Sequence, residues 1–334
     1  MTQHDSLRRG ASGRPRRIEK HIGPVSCTIG LAVVMALYAI RQPLILSPFG
    51  LTSLANVSVP LALAAIGQTV VLLGGGLDLS IGAQITLVNC FAATTMHNGV
   101  VSITTIVLLS MTIGLVMGLL NGIVVAYGRV EPLIGTFCTS FVFGGAALII
   151  LPRPGGSIPA SFATALTGNM GILPFSLILL VSAILLVWVP IFKSRLGGFI
   201  VAVGDNSESG RLSGLPVRRV ELVSYMLSGL FASIAALFLA AETTSGDPTI
   251  GSIYTLNSLA AAVLGGVALT GGRGTVIGPV LGSFLLSIIL NALGAFNVSS
   301  FWQSFIEGLI LMVVLGLGGL RLLRSGSWLA VLRS

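Results

Sequence analysis

Long apolar stretches recur along the chain, separated by short polar joints. They fall near 22–40, 51–73, 81–96, 100–127, 132–151, 174–192, 220–241, 255–270, 276–294 and 301–320. Most approach the ~20 residues that a helix needs to cross a bilayer. Backbone groups in lipid must be paired within the segment, so each stretch is expected to be a helix. The alternation of a membrane barrel is missing. The pattern predicts an all-α polytopic membrane protein of about ten transmembrane helices. The third and eighth spans, 81–96 and 255–270, are the shortest.

Composition sharpens this. Of 334 residues, 54% are hydrophobic and 8% charged, with a mean hydropathy of +1.00; soluble domains carry about 25% charged residues. The net charge of +8 raises the question of nucleic acid, and the placement of the charges answers it. Start the chain in the cytoplasm and let the spans alternate. Arg8, Arg9, Arg14, Arg16, Arg17, Lys20, Arg129, Lys193, Arg195, Arg211, Arg218, Arg219, Arg273, Arg321, Arg324 and Arg333 then fall inside, and only Arg41 and Arg153 outside. Cationic loops stay in the cytoplasm, so both termini are expected there. The partner of this charge is membrane lipid, with no nucleic acid. The chain divides into a basic cytoplasmic arm (1–21), a transmembrane body (22–320) with a cytoplasmic loop at 193–219, and a cytoplasmic tail (321–334). The arm, "SLRRGASGRPRRIEKH", precedes an apolar run without a small-x-small cleavage site, so it reads as retained. The external segment 152–173, "PRPGGSIPASFATALTGNMGIL", is expected to be a loop with one short helical turn around "ASFATAL".

Catalytic machinery is not expected. Cys27, Cys90 and Cys138 each sit in an apolar run without a CxxC or Cys/His cluster, so neither a disulfide nor a metal site is expected. Neither lysine, Lys20 or Lys193, follows a G-x-x-x-x-G pattern, which excludes a Walker A loop. "GGRGTVIG" (271–278) reads as a tight turn. His4, His21 and His97 lie in the arm and a short loop, away from any plausible Ser/His/Asp set. Transport remains, with energy from a partner or an ion gradient and no cofactor on this chain.

Polar residues inside the spans are sparse. Asn56, Gln68, Asn121, Asn257, Asn291 and Glu307 are candidates for a translocation route, while Gln84, Asn89 and Gln303 read as helix glue. Glu307 lies about six residues into the last span, roughly 9 Å deep at 1.5 Å per residue. An acid at mid-span costs about 2.5–3.5 kcal/mol, so it must meet a cavity, a partner or solvent. Two glycine series, Gly114/Gly118/Gly122 and Gly274/Gly278/Gly282, mark close helix packing by their four-residue spacing. Two short strings also match: "DLSIG" at 78–82 and "DPTIG" at 247–251, each just before one of the two shortest spans. Short, glycine-flanked segments in corresponding places suggest an inverted repeat of spans 2–5 and 7–10. Asp78, Ser80, Asp247 and Thr249 are thus candidates for capping and gating. Each acid is expected to accept from the exposed N–H groups of the short helix that follows.

The loop "GGFIVAVGDNSESGRLSGLPVRR" (197–219) offers Asp205, Asn206 and Ser207 as N-caps, a Glu208–Arg211 pair on one face, and Gly214 and Pro216 as stops. A helix this short is unstable alone and needs a docking partner. Together with "GGGLDLSIGA", "GLLNGIVVAYGRVEPLIGTF", "LNSLAAAVLGGVALTGGRGTVIGPVLG" and "FWQSFIEGLI", this loop resembles the permease subunits of bacterial ribose/xylose/arabinose-type ABC importers, over about residues 50–320. The resemblance implies a multi-pass protein of the bacterial inner membrane, paired with a second permease copy or close paralogue. It also implies an ABC ATPase subunit that binds ATP and Mg, and a periplasmic substrate-binding protein. Asn206, Ser207, Glu208, Arg211, Leu212 and Gly214 then match the coupling helix that enters the ATPase. Relatives commonly carry Asn-Pro-Glu-Ala-Ala-Arg there; Gly210 replaces an alanine, at about 1 kcal/mol of helix propensity. Pentoses, hexoses and related polyols are the expected substrates, with nucleosides or branched amino acids as the alternative. Two other readings are an ion-coupled transporter using Glu307, which lacks an intramembrane basic partner, and an assembly protein without transport.

Overall fold

The computed structural model describes residues 15–171 and 173–324; residues 1–14 of the basic arm and 325–334 of the tail lie outside them. In chain order come α1 (Pro15–Arg41), a 3₁₀ turn (Pro43–Leu46), α2 (Pro48–Leu73), α3 (Ile81–Thr95), α4 (Val100–Gly122) and α5 (Pro132–Ile150). A short α6 (Ala160–Thr167) and a two-residue hairpin, β1 (Asn169–Met170) with β2 (Leu173–Pro174), lead to α7 (Phe175–Ala183) and α8 (Val189–Lys193). Then follow α9 (Arg195–Asp205), α10 (Ser207–Leu212), α11 (Val217–Thr243), α12 (Ser252–Leu264), α13 (Ile277–Ala295) and α14 (Ser300–Arg324).

Each apolar stretch of the sequence holds a helix, and the differences lie at the ends. Helix α1 begins at Pro15, inside the segment expected as an arm. Helix α12 stops at Leu264, short of the apolar limit at 270, because the Gly265–Gly266 pair turns the chain. Gly266 takes φ +90°, and the amides of Gly266 and Val267 close on Val263 and Ala262 at 2.9 and 3.0 Å. The run at 174–192 is broken by a π turn over Ile184–Trp188, just before Pro190. Proline has no amide to donate, and the ladder widens by one residue ahead of it. A second π turn, Ile123–Tyr127, ends the helical path of α4. Among the described residues seven helices are long and apolar enough to cross a membrane, whereas α3 and α12 have only 15 and 13 residues.

Helix α2 is apolar all round and buried along nearly its whole length, as suits a central helix. It packs on α11, α13 and α12; α11 packs in turn on α4, α2 and α3; α5 lies on α3, and α14 on α12. The glycine series form these seams. A Cβ on Gly114, Gly118 or Gly122 would collide with the α11 backbone at Gly229, Tyr225 or Leu222. Gly278 and Gly282 press likewise on Gly265 and on Ala261 of α12, while Gly274 meets the Val267 side chain. Helix α6 lies at one end of the bundle; α9 and α10 lie at the other.

Candidate functional site

The chain is not helical between α2 and α3 (74–80), nor between α11 and α12 (244–251). These two stretches lead to the strings that matched in the sequence, and their ends meet. A Cβ on Gly82 would strike the Gly251 carbonyl, and one on Gly251 would strike that of Gly82. The Thr86 hydroxyl closes the junction, accepting from the Gly251 amide at 3.0 Å and donating to the Gly82 carbonyl at 3.0 Å. Thr255 is the counterpart of Thr86 in the second string, and its hydroxyl is the other neighbour that a Gly82 Cβ would strike. The repeat therefore extends four residues past its glycine, to a threonine in each copy.

Both acids make the same turn. Asp78 Oδ1 accepts from the Ser80 amide (2.9 Å) and hydroxyl (2.7 Å). Asp247 Oδ1 accepts from the Thr249 amide (2.7 Å) and hydroxyl (2.8 Å). Each is an aspartate bonding the backbone two residues on, ahead of the helix. The residues in N-cap position are Ser80 and Gly251, and neither makes a side-chain cap bond. The carboxylates thus bond the turn that admits the helix and leave its first-turn amides alone, since the chain must bend before it can coil.

Their surroundings differ. Asp78 is fully buried, and its Oδ2 accepts from Ser228 of α11 (2.8 Å) and from Gln84 Nε2 (3.1 Å). Gln84 and Asn121 of α4 also donate to the Ser80 hydroxyl, each at 2.7 Å, and Asn121 accepts from Thr139 of α5. One network therefore ties α3, α4, α5 and α11. The approach to it is pinned as well. The Leu79 amide donates to Thr136 (3.0 Å), and the Tyr225 hydroxyl donates to the Leu77 carbonyl (3.3 Å). Asp247 is only partly buried. Its amide donates to Asn89 (2.9 Å), and the preceding Gly246 pairs both ways with Gly155, at 2.9 and 2.8 Å. The segment after α5 thus holds the entry to α12.

At the opposite end Asn206 is the N-cap of α10, accepting from the Ser209 amide at 2.8 Å; Asp205 is the last residue of α9, and Ser207 opens α10. Glu208 and Arg211 form an exposed ion pair at 2.7 Å, and this carboxylate raises the guanidinium pKa by hydrogen bond and charge. Leu212 is 79% exposed. Gly214, at φ +78°, ends the helix with its amide on the Arg211 carbonyl. Helix α9, which the sequence reading did not anticipate, joins α10 to the bundle. Gly204 lies against the Leu73 carbonyl at the end of α2, and the Gly272 amide bonds that carbonyl at 3.1 Å.

The route candidates separate. Asn257 Nδ2 donates to Glu307 Oε1 at 2.6 Å, and the two line a small cavity with Leu286, Leu290, Ile310 and Leu311. Gln68 is fully buried on α2. Asn121 belongs to the Asp78 network, donating to Ser80 and accepting from Thr139. Asn56 donates to the Thr167 carbonyl at 2.9 Å, and Asn291 to that of Ser287 at 2.8 Å. Reading by sequence missed Ser228 and Thr139, ordinary small polar residues whose role comes from helices far apart in the chain. Thr86 and Thr255 carry a legible signal, each standing four residues past the glycine of its string. Among the described residues no group of three metal-ligating side chains comes together.

Comparison with known proteins agrees with this architecture. The family described as "branched-chain amino acid transport system / permease component" matches residues 50–315. The ribose import permease protein RbsC of Bacillus subtilis is 32% identical over 300 residues, covering 89% of this chain and 92% of its own. Its namesake in Escherichia coli K12 is 30% identical over 292 residues (85% and 90%). The galactose/methyl galactoside import permease protein MglC of Haemophilus influenzae is 30% identical over 310 residues (87% and 92%). No solved structure matches. With most of its length matched, the chain is a multi-pass membrane protein that belongs to the family of branched-chain amino acid transport system permease components.

Proposed function

We propose that this chain is the membrane-translocating subunit of an ATP-driven importer whose solute is a sugar of the ribose or galactose kind. The observation that carries the reading is α10. It is a six-residue helix with its own cap, its own ion pair and a leucine held out at 79% exposure, too short to persist without a protein to receive it. A separate ABC ATPase holding ATP and Mg fits that need, and the ribose and galactose permeases among the relatives favour a sugar. In this reading the helices of all ten apolar stretches, the short α3 and α12 among them, cross the bacterial inner membrane, and both termini and α10 are cytoplasmic. The α6 end receives a periplasmic binding protein, and a second permease copy completes the pore. Spans 2–5 and 7–10 are an inverted repeat. Helices α4 and α13 support this by exchanging partners, α4 lying on α11 and α13 on α2, and so do the twin aspartate turns that meet at Gly82 and Gly251.

Reconstitution with the ATPase and binding protein in liposomes tests the reading. ATP should drive uptake of labelled ribose or galactose, and a proton or sodium gradient without ATP should not. Arg211→Glu places two acids on α10; it should abolish uptake and the stimulation of ATP hydrolysis by loaded binding protein while leaving membrane insertion intact. Wild-type uptake in that variant would refute the docking assignment. Uptake driven by an ion gradient alone would refute the importer class.

A further inference from the structure

By alternation of the spans, Arg41 and Arg153 alone among the cationic residues fall on the external side. Arg41 has a local reason to be there. It is the cation in the last turn of α1, where the carbonyl end of a helix favours positive charge. Arg153 stands outside any helix, in the segment that follows α5, and its side chain is exposed. Among the described residues the single ion pair is Glu208–Arg211, so neither Glu242 nor Asp247, the acids of the same end, neutralises the Arg153 guanidinium. No hydrogen bond to a described residue holds it either.

The backbone beneath this free cation is firmly held. Pro152 fixes its own φ, and Pro154 confines the residue before it, Arg153, to extended conformations. The chain is then bonded to the bundle. Gly155 and Gly246 exchange amide–carbonyl bonds at 2.9 and 2.8 Å, the Ser157 amide donates to the Ala93 carbonyl at 2.9 Å, and the Ile158 amide donates to that of Thr244 at 3.1 Å. Gly156, at φ +72°, passes so close to Ala93 that a Cβ would strike its carbonyl. Ala93 is buried near the end of α3, and Thr244 caps the end of α11, whose length is mostly buried. The segment therefore runs inward from α5 across the ends of central helices, turning from the rim where lipid headgroups lie.

Resting on the reading of the chain as a sugar permease, we propose that Arg153 is a docking residue for the periplasmic binding protein and receives a carboxylate side chain from its surface. The guanidinium presents paired N–H donors in the planar fork that a carboxylate matches. A neutral sugar carries no such anion, so the solute itself is not the partner. A side chain mounted on backbone that is already ordered has less conformational freedom to lose when it docks. A charge at the rim of an interface also speeds encounter and fixes the register of the two surfaces.

The test uses the reconstituted complex and titrates binding protein loaded with ribose or galactose. Arg153→Ala should raise the concentration that gives half-maximal uptake about fivefold, the order of one exposed ion pair. Arg153→Glu should raise it about tenfold or more, because it sets acid against acid. Arg153→Lys keeps the charge without the fork and should fall between wild type and Arg153→Ala. The rate at saturation and the ATP hydrolysis without binding protein should both stay near wild type. Added salt should weaken half-saturation of the wild type more than that of Arg153→Ala. Changing one surface acid of the binding protein to lysine should restore Arg153→Glu. Unchanged half-saturation in both Arg153→Ala and Arg153→Glu refutes the contact. A lowered saturated rate at unchanged half-saturation means that the segment only braces the fold, and failure of every surface acid to rescue means that the partner group is not a carboxylate; either overturns the proposal. A defect present in vesicles containing phosphatidylglycerol and absent in pure phosphatidylcholine assigns Arg153 to lipid phosphate and overturns it too. A wild-type complex that imports neither sugar refutes the function reading itself, and flotation of the binding protein with permease vesicles, read without transport, still decides whether Arg153 receives it.

Discussion

Replacing Asp78 separates the roles of its charge and its geometry. Its carboxylate accepts from the Ser80 amide and hydroxyl, from Gln84 and from Ser228, with no solvent exposure. Asp78→Ala strands the Ser80 amide and hydroxyl and the Ser228 hydroxyl, each at about 1–3 kcal/mol when left buried and unpaired, while Gln84 keeps its bond to the Ser80 hydroxyl. Relief of burying the carboxylate offsets part of this, for a net loss of about 3 kcal/mol. Asp78→Asn keeps Oδ1 for the Ser80 amide and hydroxyl. Its new amide nitrogen faces two former donors, but the Ser228 hydroxyl can turn to accept, and Gln84 Oε1 has no partner at present and can be flipped toward it. The expected loss is about 1 kcal/mol. With an unfolding entropy of about 2.1 cal/mol/K per residue, 334 residues lose about 1.4 °C of Tm per kcal/mol, so Ala should lower Tm by about 4 °C and Asn by about 1–2 °C. In a Cys138→Ser background, which removes the exposed thiol, a thiol-reactive fluorogenic dye can follow the transition, since Cys27 and Cys90 are buried and react only on unfolding. At Asp247, which carries only the bonds from Thr249 and is partly exposed, Ala should cost about 1 kcal/mol and Asn almost nothing. If Asn damages Asp78 as much as Ala does, the negative charge itself is required and the acceptor account fails.

Two further outcomes follow from glycines with opposite surroundings. Gly210→Ala in α10 finds ordinary van der Waals room, its Cβ lying 3.6 Å from Leu215 and 3.8 Å from Val203. About 1 kcal/mol of helix propensity should slow hydrogen exchange of the α10 amides about fivefold, and unchanged or faster exchange would contradict this. Gly82→Ala meets the Gly251 carbonyl and the Thr255 hydroxyl and should cost about 1–3 kcal/mol by overpacking with loss of uptake. Gly145→Ala, with open space around it, serves as the control, and equal Tm for the two would refute the close crossing.

What the sequence disclosed here, and what it hid, follows from the range of the interactions. Helices driven by solvation are written locally, so each apolar stretch marked the place of a helix in its order along the chain. Seams that need close backbone approach are also local in one partner: the spacing of Gly114, Gly118 and Gly122 announced a contact. Nothing in it named the α11 backbone as the other side. The ends of helices were less visible, because hydropathy does not register a turn made of apolar residues, and so the C-terminal end of α12 read six residues too far along the chain. The Asp78 network was the least visible. Asp78 and Ser80 stand in one string, but Asn121 and Ser228 reach them from two other helices, with Thr139 of a third helix bonding Asn121, and each alone is an ordinary polar residue in a span. The aspartate string was still detectable because it occurs twice, once in each half. Within one chain, that internal comparison locates a structural junction that periodicity misses: the two copies need the same turn, glycine and threonine because they meet each other at Gly82 and Gly251 and so face the same steric demand.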